Sequence, residues 1–90
     1  MTNIEYNELA DLLHRGHELD FRYDGKRYFL EKIGDREYEF YDMTDENNGI
    51  LLSKTIARDN DLVSAFLSEP IIDGKSFNEI YPYINEYYIE

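Results

Sequence analysis

Two imidazoles and a carboxylate, His14, His17 and Glu18, fall within five residues of one another, an inventory that can ligate zinc. The spacing argues against a metal. Gly16 should end a helix between the two histidines, no third strong ligand is near in sequence, and the His-Glu-x-x-His pattern that puts both rings on one helix face is missing. A histidine at a helix C-terminus is accounted for by the favourable interaction of its cation with the helix dipole. Calcium fails in the same way: with Asp45 as first ligand of an EF-hand loop, Gly49 comes one residue early and Ile56 stands where a bidentate glutamate belongs. Nucleophilic catalysis has little material, since the chain has no Cys and its four serines, at positions 53, 64, 68 and 76, lie in no Gly-x-Ser-x-Gly elbow. Five scattered glycines make no phosphate cradle. The residues therefore predict a protein that is no enzyme and takes no metal and no cofactor.

The charge points elsewhere. Twenty Asp and Glu against nine Lys and Arg give −11 at pH 7, beyond the magnitude of about 2–8 that solubility asks of a small domain. Such a chain repels nucleic acid and anionic membrane and is drawn to basic protein surfaces, including those that hold nucleic acid. From Asp35 to Glu46 six carboxylates, Asp35, Glu37, Glu39, Asp42, Asp45 and Glu46, face Arg36 alone, and Glu37 and Glu39 recur at the strand period of two. Carboxylates in a row on a strand can stand in for phosphates, and Tyr38 and Tyr41 beside them offer aromatic anchors. These eight residues are the expected partner-binding edge, formed by a second hairpin and its loop. The plainer reading of the same residues is a solvated sheet face.

The elements that must carry this edge follow from local signals. Thr2 and Glu5 have capping-box spacing, Ile4, Leu9, Leu12 and Leu13 share a face, and Gly16 suits a left-handed stop, which predicts a helix over about 3–15. Asp24-Gly25 between two alternating runs predicts a type I′ hairpin that faces Phe21 with Tyr28 and Leu19 with Leu30, leaving Glu18, Asp20, Arg22, Arg27, Phe29 and Glu31 on the other side. A second reversal at Ile33–Glu37 has two possible registers. The three-residue loop is preferred because it sets Phe40 opposite Leu30, buries Tyr38 and Phe40, and leaves Glu37 and Glu39 solvated. Ile50–Lys54 reads as a short fourth strand, although a helical turn fits so brief a run. Asp59, Asn60 and Asp61 offer N-caps to a helix over Leu62–Leu67 that Pro70 stops, Asp73-Gly74 turns the chain, and Ser76-x-x-Glu79 is a second capping box opening a helix broken at Pro82. The aromatic tail from Tyr83 to Glu90 should pack on the body.

The fold expected is α+β: a three- or four-stranded antiparallel meander, with an N-terminal helix and two short C-terminal helices on one face, in one domain over residues 1–90. Its core should hold Leu9, Leu12, Leu13, Leu19, Phe21, Tyr28, Leu30, Phe40, Phe66, Ile72 and Ile80. Zero cysteines, no leader-like segment at Met1–Glu5 and no apolar run approaching a membrane span predict a cytoplasmic protein, monomeric or weakly dimeric.

Tyr23-Asp24-Gly25-Lys26-Arg27-Tyr28 and Ile72-Asp73-Gly74-Lys75-Ser76-Phe77-Asn78-Glu79-Ile80 together resemble a loose group of small acidic proteins of Gram-positive bacteria and their phages. That group shares a helix, a hairpin carrying Asp-Gly-Lys and a late Asp-Gly-Lys-Ser capping segment. The shared motifs cover about a third of the chain and are turns and caps, so they bring no functional residue with them. In size and charge the chain is also similar to phage-encoded inhibitors such as anti-CRISPR, anti-restriction and glycosylase-inhibitor proteins, and this similarity implies an inhibitor of a nucleic-acid-binding protein.

Overall fold

In the computed structural model, residues 1, 4–44 and 49–90 are described. Each turn chemistry read above sets a local geometry. Asp24 and Gly25 have φ of 53° and 76°, the left-handed pair of a type I′ turn, and join β1 (Leu19–Tyr23) to β2 (Lys26–Gly34). The register pairs Phe21 with Tyr28 and Leu19 with Leu30, as the alternation requires. β3 (Glu37–Asp42) follows with Phe40 opposite Leu30 and Tyr38 opposite Lys32. That is the register of a three-residue loop, absorbed here by a bulge between Lys32 and Gly34 and a left-handed Arg36. β4 (Gly49–Thr55) pairs with β3, so the run at Ile50–Lys54 is a strand.

The tail supplies what the sequence reading lacked. β5 (Glu86–Ile89) pairs antiparallel with β1, making a five-stranded sheet in the order β4-β3-β2-β1-β5. The fold is α+β, with one strand more than expected.

Helix α1 (Tyr6–His14) starts later than 3. Glu5 takes the N-cap position with no side-chain cap bond, and Thr2 of the expected capping box lies outside the described residues. Its end is a Schellman motif: Gly16 at φ 97°, with Gly16 N donating to Leu13 O at 3.1 Å and His17 N to Leu12 O at 3.0 Å. Leu9 and Leu13 are buried, whereas Leu12 is only half-buried.

The second helix is a single π-helical turn, Leu62–Phe66, closed by Leu67 N donating to Leu62 O at 2.9 Å. Its wider winding leaves Leu62, Phe66 and Leu67 all in the core. Asp61 precedes it without a side-chain cap bond. Asp73 and Gly74, at φ 50° and 82°, form a miniature reversal that bridges Ile72 to Lys75. Ser76 then closes both halves of a capping box with Glu79 at the start of α2 (Phe77–Ile80), which tightens into a 3-10 turn at Tyr81–Tyr83. Asn78 ties α2 to the π turn through Leu67 O and Val63 O.

All these helical pieces cover one sheet face. Phe77 sits at the centre, with ring centroids 5.5 Å from Phe21, 6.5 Å from Phe40 and 6.0 Å from Tyr81. Met1, Tyr38, Ile56, Leu62, Leu67, Phe77 and Ile84 join the expected core. Among the described residues the opposite face of the sheet carries no helix, and that face positions the candidate site.

Candidate partner-binding face

On a strand, side chains alternate between faces, so Tyr38, Phe40 and Asp42 share one face of β3 and Glu37, Glu39 and Tyr41 the other. The expected acidic edge therefore divides. Tyr38 is 2% exposed, with its ring 5.6 Å from that of Phe66 and its hydroxyl 3.5 Å from His14 Nδ1. It is a core residue and cannot reach a partner as an anchor. Burial pushes its phenol pKa up. Asp42 turns back locally: its Oδ1 accepts from Thr44 N at 2.9 Å and Thr44 Oγ1 at 2.5 Å, and those bonds hold its carboxyl below the usual range. Asp35 is exposed at the tip of the hairpin. Asp45 and Glu46 lie outside the described residues. Nor is β3 an edge, since β2 and β4 flank it.

What replaces the edge is a row across the open face. Ser53 of β4 pairs with Glu39 of β3, and Glu39 pairs with Glu31 of β2. Continuing the β1–β2 register by one residue places Glu18 beside Glu31, and Glu18 exchanges both backbone hydrogen bonds with Glu90, at 3.0 and 2.9 Å. Four glutamates thus follow one another across the sheet at a spacing of about 4.8 Å, Glu39 and Glu31 on β3 and β2 and Glu18 and Glu90 one residue beyond the paired ends of β1 and β5. Burial, and after it the charges of Glu31 and Glu90 and a side-chain bond with Glu90, push the Glu18 carboxyl above the ordinary glutamate value. Among the described residues, none of the four has a Lys, Arg or His partner within 4.0 Å.

The next row is aromatic. Ile50, Tyr41, Phe29, Asp20 and Tyr88 are successive cross-strand partners, with the Phe29 and Tyr41 rings 5.9 Å apart. The Tyr41 hydroxyl lies between the rows, donating to Glu31 Oε1 at 3.0 Å and also contacting Glu39 Oε2. The bond to Glu39 is the main cause that pushes its phenol pKa far up, so Tyr41 is a fixed donor with no acid or nucleophile chemistry to offer near neutral pH. Beyond the aromatic row come Arg27, Arg22 and Glu86. Both cations are internally matched: Arg27 to Asp20 at 2.6 Å and Arg22 to Glu86 at 3.1 Å. The cations at one end of this face are each paired in contact, while among the described residues the four glutamates at the other end have no contacting cation, Arg27 acting on Glu90 only at longer range.

Of this arrangement, the sequence reading held Glu37, Glu39 and Tyr41 and missed Glu18, Glu31 and Glu90 as members. The Glu18–Glu31 neighbourhood was present in the first hairpin's register. Glu90 was not accessible without knowing that the tail is a strand.

The two histidines part company. His14 Nε2 is 3.6 Å from Asp59 Oδ2, while His17 Nδ1 is 3.1 Å from the Glu90 carbonyl. Among the described residues no three His, Asp or Glu side chains are grouped to hold a metal ion. His14 and Asp59 border a groove of about 370 Å³ between α1 and the π turn, walled by Ala10, Leu62 and Val63. Asp59 is already paired there to Arg36 at 2.9 Å, which depresses its carboxyl pKa. Among the described residues no helix is long and apolar enough to cross a membrane.

No family model, curated protein or solved structure matches this chain.

Proposed function

We propose that this protein is a non-enzymatic, cytoplasmic inhibitor or modulator that binds the basic surface of a nucleic-acid-binding protein through its open sheet face. The observation that carries the reading is the row Glu39-Glu31-Glu18-Glu90, four carboxylates with no cation in contact among the described residues, on the sheet face opposite the helices. Four like charges on neighbouring strands repel one another, a cost that a partner's Lys and Arg side chains relieve on binding. A guanidinium accepts a carboxylate as it does a phosphate, through two parallel N–H bonds. The adjoining Tyr41, Phe29 and Tyr88 supply apolar area beside the charges, the combination from which binding hot spots are made. Such an interface forms fast and weakens with salt.

The test is capture of partners from a lysate of the source cells on the immobilised protein, with DNA or RNA added as competitor. The nucleic acid should displace a specific basic protein, and Glu37→Lys with Glu39→Lys should abolish capture while the far-ultraviolet circular dichroism stays unchanged. Capture that is indifferent to that double reversal, to salt and to nucleic acid sinks the reading.

A further inference from the structure

The sheet has two edges, and they are unlike. β5 is four residues long, starts at Glu86, which is paired with Arg22, and runs into Glu90. β4 is seven residues long and contains no acid. Its single cation does not guard it, because Lys54 reaches to the helical face and donates to Ala65 O and Glu69 Oε1, each at 3.1 Å. Ile50 and Leu51 are 55% and 39% exposed. Ile56 N donates to Arg36 O, so alternation along the ladder turns the N–H groups of Thr55 and Ser53 away from β3, toward the open side. A register shift against β3 interrupts the strand beside Leu51, but from Leu52 to Thr55 the pairing is regular, and a long edge with no acid and no outward cation is a template for another strand.

We infer that β4 is a self-pairing strand, joining a second copy of this chain in an antiparallel, two-fold dimer with a continuous ten-stranded sheet. Charge selects the occupant. A chain of net charge −11 repels its own copy over most of its surface, and residues 47–58, which include β4, form its longest run without Asp or Glu. Along that run two copies bring no acid of their own toward each other, whereas a basic partner is drawn to the glutamate row. An isologous interface also requires a self-complementary patch, and a strand pairing antiparallel with itself is one. With Ser53 opposite Ser53 of the second copy, the row Glu90-Glu18-Glu31-Glu39-Ser53 of one copy runs straight into that of the other. That doubled row deepens the basic-partner reading above, but the dimer itself does not depend on it.

Sedimentation of the full chain across about 0.01–1 mM tests this. A monomer–dimer equilibrium is expected that tightens on going from about 0.05 to 0.5 M NaCl, because salt screens the repulsion. Leu51→Lys and Ser53→Pro should each weaken it at least about tenfold, the first by adding an edge charge and the second by removing an outward N–H that an edge strand can spare. Tyr88→Lys, at the other edge, should leave it unchanged. A chain that is monomeric at about 1 mM in high salt overturns the inference. So does a dimer that survives both β4 variants with circular dichroism unchanged, or one that Tyr88→Lys breaks. The Leu51→Lys monomer keeps its own four-glutamate row, so its capture of a basic protein reads the functional proposal separately.

Discussion

Glu18→Gln takes one charge from the middle of the carboxylate row without changing its shape, and the folded protein should become more stable. Glu18 is flanked by Glu31 and Glu90, and facing side chains on adjacent strands lie about 5–6 Å apart. Two unit charges 6 Å apart in water repel by about 0.7 kcal/mol. With two neighbours, and light screening at about 10 mM salt, the gain is about 1 kcal/mol, which for a domain of this size raises the melting temperature by about 4–8 °C. At 1 M salt, where the Debye length is about 3 Å, the same gain shrinks to about 0.2 kcal/mol and 1 °C. Proton linkage gives an independent sign. A carboxyl whose folded pKa is raised binds its proton more tightly folded than unfolded, so wild-type stability rises as pH falls through that pKa and is lost again as pH climbs back. This contribution, lost as pH rises above the ordinary glutamate range, is opposite in sign to those of Asp42 and Asp59, whose lowered values cost stability as pH falls below the ordinary aspartate range. Thermal melts followed by circular dichroism, at two salt concentrations and at pH 7.5 and 5, read all of this. Glu8→Gln, an exposed change in the first turn of α1, is the control. A Glu18→Gln protein that melts at or below the wild-type temperature in low salt, or that gains as much stability on acidification as the wild type does, refutes the repulsive row.

Phe77→Ala, at the meeting point of the aromatic core, should lower stability by about 3–5 kcal/mol in urea unfolding with an unchanged m-value. Ser76→Ala removes the acceptor for Glu79 N at 3.2 Å and should cost about 1 kcal/mol by the same assay. Gly74→Ala meets no atom within 4 Å, so any loss is backbone strain at φ 82°, about 1–2 kcal/mol. Gly49→Ala, equally open and without a positive φ, should be neutral or slightly stabilising, and equal losses at both positions would contradict the strain argument.

Local chemistry made much of this fold readable. Asp24-Gly25 fixes a turn and, with it, a register, and Gly16 fixes a helix end. The second register was settled by burial, because only one choice kept Glu37 and Glu39 in water. The same alternation rules out Tyr38 as an anchor: a tyrosine between two solvated glutamates on a strand must face the other side. β5 was not readable, since Glu86-Tyr87-Tyr88-Ile89 has no turn beside β1 to announce its partner, and only a free sheet edge decides where it goes. The candidate row was half hidden for that reason. Its Glu18–Glu31 step follows from a two-residue turn, while its Glu90 step follows from a pairing across most of the chain.

That last pairing has a consequence for the order of assembly. β1 and β2 close across two residues, but β1 and β5 close across residues 24–85. Each doubling of a loop adds about 0.6 kcal/mol to closure, so joining β5 costs about 3 kcal/mol more chain entropy than forming the first hairpin. The meander and its aromatic core can form on their own contacts, leaving the terminal strand to dock last and to open first. Amides of Tyr88 and Glu90, which the alternation set by the Glu18–Glu90 pair turns toward β1, should then exchange with solvent through a local opening well before those of Phe21 and Tyr28. Each such opening carries Glu90 away from Glu18, so the molecule would flicker between a four-carboxylate row and a three-carboxylate one without unfolding.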